Sequence, residues 1–467
     1  NLGPHREDMR KVPFFTIDGE TARDFDDAIH VERERSGYVL WVAIADVSHY
    51  VREGSELDKC ARGRGTSVYF PERAFHMLPS ALSEHLCSLK PNEPRLALVS
   101  KIQFDREGNP GKTTLHETVI ESTRRATYTE IETEWKANRG CKDWALRPHF
   151  ELFELLKFRR LERGALDLDL PEAEIKVDEQ GEPVSILRRE RWDSHRLIEE
   201  FMIAANEAVS RWMIAKTRQF LFRVHEQPDE TAFEKFATMA AAVGAHYKSK
   251  SFGNREVAAF LKSIAGRPTE QLLNYALLRS LKQARYNPEN LGHFGLASTA
   301  YTHFTSPIRR YPDLVVHRLL RETLRGGGED QANETRAHIK EIAEHCNYRE
   351  RLAADAERES IKIKQVRALA KHLGSTLAAR ISGMNPHGIY AQTLEPWAEG
   401  WISVERLPGG ESFRFDEEKM VYYAKRSKMA FLFGDPIKVK VVRFDIGLRE
   451  VELDIAGSDF VDPGSRT

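Results

Sequence analysis

The chain is predicted to fold as an α+β domain, a mixed sheet with surrounding helices, followed by a small all-β barrel. Three observations predict this. Residues 12–130 hold short apolar runs bounded by turn signals. From about 145 to 373 apolar positions recur at helical spacing, and residues 375–456 return to apolar–polar alternation. At 467 residues the chain exceeds what one ordinary core organises, so two or more domains are expected.

Tyr38 to Ala45 reads YVLWVAIA, an apolar run of strand length, and Leu96 to Phe104 and Leu115 to Glu121 follow as further strands. Arg106-Glu107-Gly108-Asn109-Pro110 separates the last two, because glycine and proline punctuate regular structure. Ile198, Phe201, Met202, Ala205, Val209 and Trp212 recur at helix spacing, so His195 to Lys216 is expected to be one amphipathic helix. Helical patterns continue at 231–245, 255–285, 312–325 and 332–372, and Gly374 is the expected stop. Beyond it, Leu377-Ala378-Ala379-Arg380-Ile381, Gly388-Ile389-Tyr390-Ala391, Gly400-Trp401-Ile402 and Ile437 to Val442 alternate. About five short strands in ~80 residues fit an OB-type barrel. The division is a linker at 1–11, an α+β domain at 12–373, the barrel at 374–457 and a tail at 458–467.

Hydrophobic residues make up 41% and charged residues 30%, which excludes a disordered chain. No run approaches the ~20 apolar residues of a membrane helix, and Asn1 to Arg10 lacks the apolar core of a secretion signal. Cys60, Cys87, Cys141 and Cys346 are scattered without a CxxC pair, so neither structural zinc nor a disulfide framework is expected, and a reducing cytoplasm is. Lys and Arg number 70 against 71 acids; nucleic-acid binding depends on a local basic stripe, so this balance decides nothing. The sequence lacks an initiator Met, which leaves a preceding module open.

The strongest chemical signal is Asp18, Asp24, Asp26 and Asp27, four aspartates within ten residues beside an apolar segment. In extended chain Asp24 and Asp26 share a side, and a turn at Gly19 can bring Asp18 to them. Crowded carboxylates repel unless cations neutralise them, and hard oxygen ligands suit magnesium or manganese. Two such ions are the usual device for phosphodiester displacement. A solvated acidic turn or a calcium loop is the plain alternative, although Ile29 stands where a calcium loop needs its glutamate. A second signal is Thr305-Ser306-Pro307-Ile308-Arg309-Arg310-Tyr311-Pro312-Asp313. A fixed guanidinium stabilises charge developing on a phosphate; the alternative is that Arg309 and Arg310 are surface charges or partners of Asp313.

FTIDGETARDFDDAIHV (15–31) closely resembles the signature of the ribonuclease II/ribonuclease R (RNB) family. The resemblance continues in order through LWVAIADVSHYV (40–51), GRGTSVYFPERAFHMLPSALSEHLCSL (63–89), HRLIEEFMIAAN (195–206), HFGLA (293–297) and YTHFTSPIRRYPDL (301–314). It covers roughly 12–372, and TSVYFP and HFTSPIRRYPDL lie nearer the ribonuclease R branch. The resemblance implies processive hydrolysis of RNA from its 3′ end to nucleoside 5′-monophosphates. The partner it implies is single-stranded RNA entering 3′ end first; a monomer that engages no membrane is expected.

Carried over residue by residue, it implies two magnesium ions on Asp18, Asp24, Asp26 and Asp27, with manganese as a substitute and Asp26 most tied to catalysis. Arg309 falls at the scissile phosphate, with Arg310 beside it on the RNA. Tyr69 stacks on the 3′-terminal nucleotides, Tyr128 lines the path, and Glu199 and Glu350 contact the terminal nucleotides. The chain departs from ribonuclease II at Leu168, where a phenylalanine clamp opposite the tyrosine is expected. The barrel resembles the OB-fold RNA-binding domain that ends this family, with His387, Tyr390, Trp397, Trp401, Arg443 and Phe444 as candidate contacts; Ser403 replaces a frequent histidine. The rival readings are a non-catalytic RNA-binding or regulatory protein that kept the fold, and an endonuclease using the same metal site.

Overall fold

The apolar runs of the first 130 residues join into one seven-stranded mixed sheet in this computed structural model. The structure describes residues 5–457 apart from 169, 217–218, 250–251, 268, 327–337, 409, 411 and 425; the tail at 458–467 lies outside the described residues. In chain order come β1 (Glu7–Asp8), β2 (Phe15–Asp18), β3 (Asp27–Glu34) and β4 (Gly37–Ala45). Helices α1 (Val47–Tyr50) and α2 (Glu56–Arg64), the hairpin of β5 (Val68–Tyr69) and β6 (Ala74–Phe75), and a π-helical turn at Ala81–Leu86 follow. Strands β7 (Pro94–Asp105), β8 (Pro110–Glu121) and β9 (Arg124–Thr127) complete the sheet in the order β1-β8-β7-β4-β3-β2-β9. The centre falls to β4, buried along its whole length, which is why its sequence is uninterrupted apolar. Gly37 opens it at φ +148°, where a side chain would meet the Phe104 carbonyl at 2.1 Å.

One boundary is corrected. The expected linker at 1–11 ends in the sheet, because Glu7 and Asp8 pair in parallel with Thr118 and Val119 on β8. Arg6 there pairs with the fully buried Asp46 at 2.5 Å. A charge that looks like linker solubility in sequence is one half of a buried pair, whose breakage typically costs 3–5 kcal/mol.

Helices α3 (Tyr128–Asn138), α4 (Arg147–Glu162) and α5 (Asp193–Ile214) cover the sheet, with the short hairpin β10 (Ala173–Val177) and β11 (Pro183–Arg188) between the last two. Leu197, Phe201, Ala205 and Val209 of α5 share one core with β4 and β7. Strands β12 (Phe222–Val224) and β13 (Arg285–Asn287) bracket three helices, α6 (Glu230–Ala242), α7 (Asn254–Ile264) and α8 (Glu270–Ser280). These three have their own core around Phe233, Phe236, Phe260, Leu273 and Leu277. Helix α9 (Tyr311–Leu324) returns to the main core, and the long α10 (Ile339–Ala370) ends with Val366 and Leu369 in the core of the barrel.

The barrel closes as β14 (Thr376–Asn385), β15 (Gly388–Thr393), β16 (Glu399–Ser403), β21 (Glu450–Gly457) and β20 (Pro436–Asp445). Between β16 and β20 a further sheet of β17 (Phe413–Asp416), β18 (Val421–Ala424) and β19 (Ala430–Leu432) is inserted. The sequence reading missed it and the β10–β11 hairpin, since strands of three to six residues among charges leave little period to read. The barrel is tied to the first domain by the Trp397 amide donating to the Ile186 carbonyl at 2.9 Å and by the Leu373–Val441 bridge.

His149 supplies a test of this core. It is buried on α4, its Nε2 accepts the Val31 amide of β3 at 3.2 Å, and burial and the nearby His30 hold its pKa down to about 3. Its unfolded pKa is near 6.5, so the folded state binds fewer protons. Its stabilisation is complete above about 6.5 and is lost as pH falls toward 3. His149→Gln is expected to melt lower at pH 7 but to lose less stability than the wild type between pH 6.5 and 4. Parallel acid limbs in thermal melts of the two proteins would show that His149 is not buried neutral.

Candidate active site and nucleic-acid interface

The aspartates gather at one end of the sheet because β2 ends in Asp18 and β3 begins at Asp27. The loop between them is fixed from three sides. Arg125 Nη2 donates to the Gly19 and Glu20 carbonyls at 2.6 and 2.9 Å. Ser88 Oγ accepts the Phe25 amide at 3.0 Å and donates to the Arg23 carbonyl at 2.7 Å. The Phe25 ring is buried, which anchors the alternation that presents Asp24 and Asp26. Asp26 is itself only 5% exposed.

The arginine segment meets this loop from 282 residues away. The Ile308 amide donates to Asp26 Oδ1 at 2.9 Å, and Arg309 Nε lies 3.6 Å from Asp26 Oδ2. Arg309 is the more exposed arginine and its Nη2 donates to Ser306 Oγ at 3.0 Å. Arg310 instead turns inward, with Nε and Nη2 donating to Asp313 at 2.9 and 2.7 Å. Asp313, fully buried, also accepts the Ser306 amide at 2.8 Å, so it organises the loop while two donors of Arg310 are committed to it. In the structure Arg310 is thus part of the scaffold of this loop. The Ser67 amide and Thr66 hydroxyl donate to the Arg309 carbonyl, docking the loop on the chain that leads into β5.

Tyr69 stands beside the aspartates, 40% exposed, with its hydroxyl donating to Asp24 Oδ2 at 3.0 Å. Burial and Asp24 together push its pKa up, so it remains a neutral phenol and a usable stacking face. Tyr128 caps the other flank, stacked on His195 with ring centres 4.2 Å apart; Asp27 and Asp18, after burial, help raise its pKa. Glu199 is ion-paired with Arg191 at 2.9 Å and Glu350 with Arg223 at 2.7 Å. Each glutamate thus has one carboxylate oxygen committed to its arginine. Leu168, partly buried, packs on the core of α6–α8. Sequence reasoning missed His195, Arg125, Arg191 and Arg223, whose roles appear only when distant segments pair.

A groove of about 1000 Å³ runs between α6, α8 and the barrel. Lys235, Arg279, Lys362 and Arg380 line it with Tyr275 and Tyr390, and Glu399 is the carboxylate in its wall among the described residues. Tyr390 leans on Trp401 with centres 4.6 Å apart, and Trp397 also lines the groove. His387, Arg443 and Phe444 lie on the barrel surface. A basic trough with aromatic faces is the chemistry that holds a single strand.

The electrostatics of the aspartates are unfavourable as they stand. Burial, then Asp27 and Asp24, push Asp18 well above the carboxylate range. Burial raises Asp26 likewise against Arg309, and Asp27 is pushed up to about 6. Asp18 Oδ2 and Asp26 Oδ2 are buried without a hydrogen-bond partner. Among the described residues no three acidic, imidazole or thiol side chains converge as a ready ligand set, and Asp24 is turned toward Tyr69. The donor chemistry nonetheless fits a hard divalent cation, which would satisfy both orphaned oxygens and cancel the mutual repulsion.

The chain belongs to the RNB domain family, whose model matches residues 6–326. Within it, this chain is similar to Ribonuclease R 1 of Lactococcus lactis subsp. lactis (strain IL1403), 40% identical over 99% of this chain and 58% of that protein. Ribonuclease R of Aquifex aeolicus (strain VF5) is 40% identical over 96% of this chain and 65% of that protein, so this chain spans about three fifths of these relatives. The solved apo form of Mycoplasma genitalium RNase R superposes with a TM-score of 0.89 and 31% identity, covering 97% of this chain and 72% of that one. Yeast Ssd1, described as a pseudonuclease, shares the fold alone, at TM-score 0.74 and 22% identity over 90% of this chain and 53% of that one.

Asp18→Asn separates the two consequences of charge crowding. Asp27, raised above its unfolded pKa near 3.9, contributes stability when protonated and loses it as pH rises through about 6. Without divalent cations, the wild type should lose melting temperature between pH 5 and 7, and Asp18→Asn should lose less. Magnesium at a hundredfold excess over Kd should then stabilise the wild type by about 2.7 kcal/mol and Asp18→Asn much less. Equal magnesium shifts in calorimetric melts would remove Asp18 from cation binding.

Proposed function

We propose that this chain hydrolyses RNA from its 3′ end, processively, to nucleoside 5′-monophosphates, with two magnesium ions held by Asp18, Asp24, Asp26 and Asp27. The observation that carries this reading is the pair of orphaned carboxylate oxygens on Asp18 and Asp26 beside Arg309. Bound divalent ions supply a polarised phosphate and an activated water. Arg309 pairs with the non-bridging oxygens of the reacting phosphate, and the Ile308 amide keeps Asp26 aimed at it. Tyr69 and Tyr128 hold the terminal nucleotides, with the Glu199–Arg191 and Glu350–Arg223 pairs as candidate contacts to their sugars and phosphates. The groove beside the barrel leads the single strand in.

Solved structures of the Mycoplasma relative include complexes with ribose-methylated single-stranded RNA and with double-stranded RNA, which supports RNA as the substrate here. Among the described residues no helix is long and apolar enough to cross a membrane. The non-catalytic alternative has a fold precedent in Ssd1, but a chain freed from catalysis has no reason to keep two buried carboxylate oxygens without a hydrogen-bond donor.

End-labelled RNA with a single-stranded 3′ tail tests the proposal. Magnesium-dependent release of mononucleotides is expected, with a blocked 3′ end stopping it and matching DNA left largely uncut. Asp26→Asn should lower the rate by orders of magnitude while RNA still binds. Near-wild-type turnover of Asp26→Asn, or cleavage insensitive to the 3′ block, would overturn the exonuclease reading.

Tyr69→Ala tests the grip on the end. Loss of one stacked base contributes about 1–3 kcal/mol, roughly a five- to 150-fold change in retention. The limit product should lengthen by about one nucleotide while long RNA is degraded nearly as before. An unchanged product ladder on a sequencing gel would show that Tyr69 does not stack on RNA.

A further inference from the structure

His76 occupies a place that neither the sequence reading nor the proposed mechanism uses. It follows β6, and its ring sits between two carboxylates. Nδ1 lies 3.8 Å from Asp24 Oδ2, and Nε2 lies 3.3 Å from Glu84 Oε1 on the π-helical turn. The ring is only 18% exposed, and its Nδ1 is buried without a hydrogen-bond partner. The same Asp24 oxygen accepts the Tyr69 hydroxyl, and the His76 ring meets the Tyr69 ring edge-on at 6.4 Å. Arg23 closes the chain of charges, 4.0 Å from Glu84.

A buried, unpaired ring nitrogen aimed at a carboxylate is unfavourable unless it is used in another state of the site. Asp24 cannot both accept from Tyr69 through Oδ2 and present that oxygen freely to a cation. Once its hydroxyl leaves Asp24, the Tyr69 ring is free to turn toward a base. One ring borders both groups, with Glu84 fixing its far nitrogen. We propose that His76 is a positioning residue: it supports Asp24 when Tyr69 releases it, and so couples cation binding by Asp24 to stacking by Tyr69. This rests on the metal role proposed above for Asp24. Partners of ligating carboxylates act by orientation, and their loss typically weakens metal binding about 10–100-fold.

The test titrates manganese into the RNA-free protein by calorimetry and, separately, maps limit products and the kcat and KM of a tailed RNA. His76→Ala should weaken manganese binding about tenfold. It should also lower kcat with KM for long RNA unchanged, and lengthen the limit product as Tyr69→Ala does. His76→Asn, whose amide can stand where Nδ1 was, should restore most of each. Should His76→Ala fail to fold, Glu84→Ala releases the far nitrogen and should show a smaller weakening in the same direction. Wild-type manganese affinity in His76→Ala overturns the proposal, as does equal impairment of the alanine and asparagine variants. If the wild type itself binds no manganese, the metal site fails and the role of His76 fails with it; normal wild-type binding with an indifferent His76→Ala fails His76 alone.

Discussion

Negative charge buried against negative charge is the constraint around which this molecule is arranged. Asp18, Asp26 and Asp27 each carry a pKa raised by burial, and Asp18 and Asp26 by neighbouring aspartates as well. Relaxing the loop into water would relieve that repulsion. The structure prevents it by tethering the loop, with the Arg125 guanidinium on the Gly19 and Glu20 carbonyls, Ser88 on the Arg23–Phe25 backbone and the Ile308 amide on Asp26. Such pre-arranged strain at the end of a rigid sheet is what a site for cations and a phosphate needs, since little remains to reorganise when they arrive.

The same constraint explains why the chain returns to the aspartates so late. Segment 305–313 brings one exposed guanidinium, Arg309, and uses everything else in the motif to hold it. Arg310 and Asp313 lock the turn, Ser306 takes a donor from Arg309, and residues 65–67 grip the backbone. Adjacent arginines thus divide their labour, one facing the site and one facing the core. Helix α9 starts directly after this turn and drives Leu314, Val315 and Leu319 into the core shared with the sheet. The position of Arg309 is therefore set by apolar burial.

The sequence disclosed those parts that local pattern encodes. Helical spacing in α5 and alternation in β14–β16 follow from which face each element buries. The aspartate spacing and the Ser-Pro-Ile-Arg-Arg turn are contiguous, so the site's charged groups could be named from them. What stayed hidden depends on long-range pairing. Arg6 and Asp46, or Arg223 and Glu350, are unremarkable as separate charges and become meaningful only across tens or hundreds of residues. The packing of Leu168 on the core of α6–α8 likewise depends on segments distant in the chain. His76 gave no signal in a segment read for Tyr69 alone.

The most direct test of the central claim is anomalous diffraction from crystals grown with manganese and a non-cleavable RNA. The account predicts anomalous peaks among Asp18, Asp24, Asp26 and Asp27, close to the terminal phosphodiester and to Arg309. Manganese absent from those carboxylates at saturating concentration, with RNA seated in the groove, would contradict it.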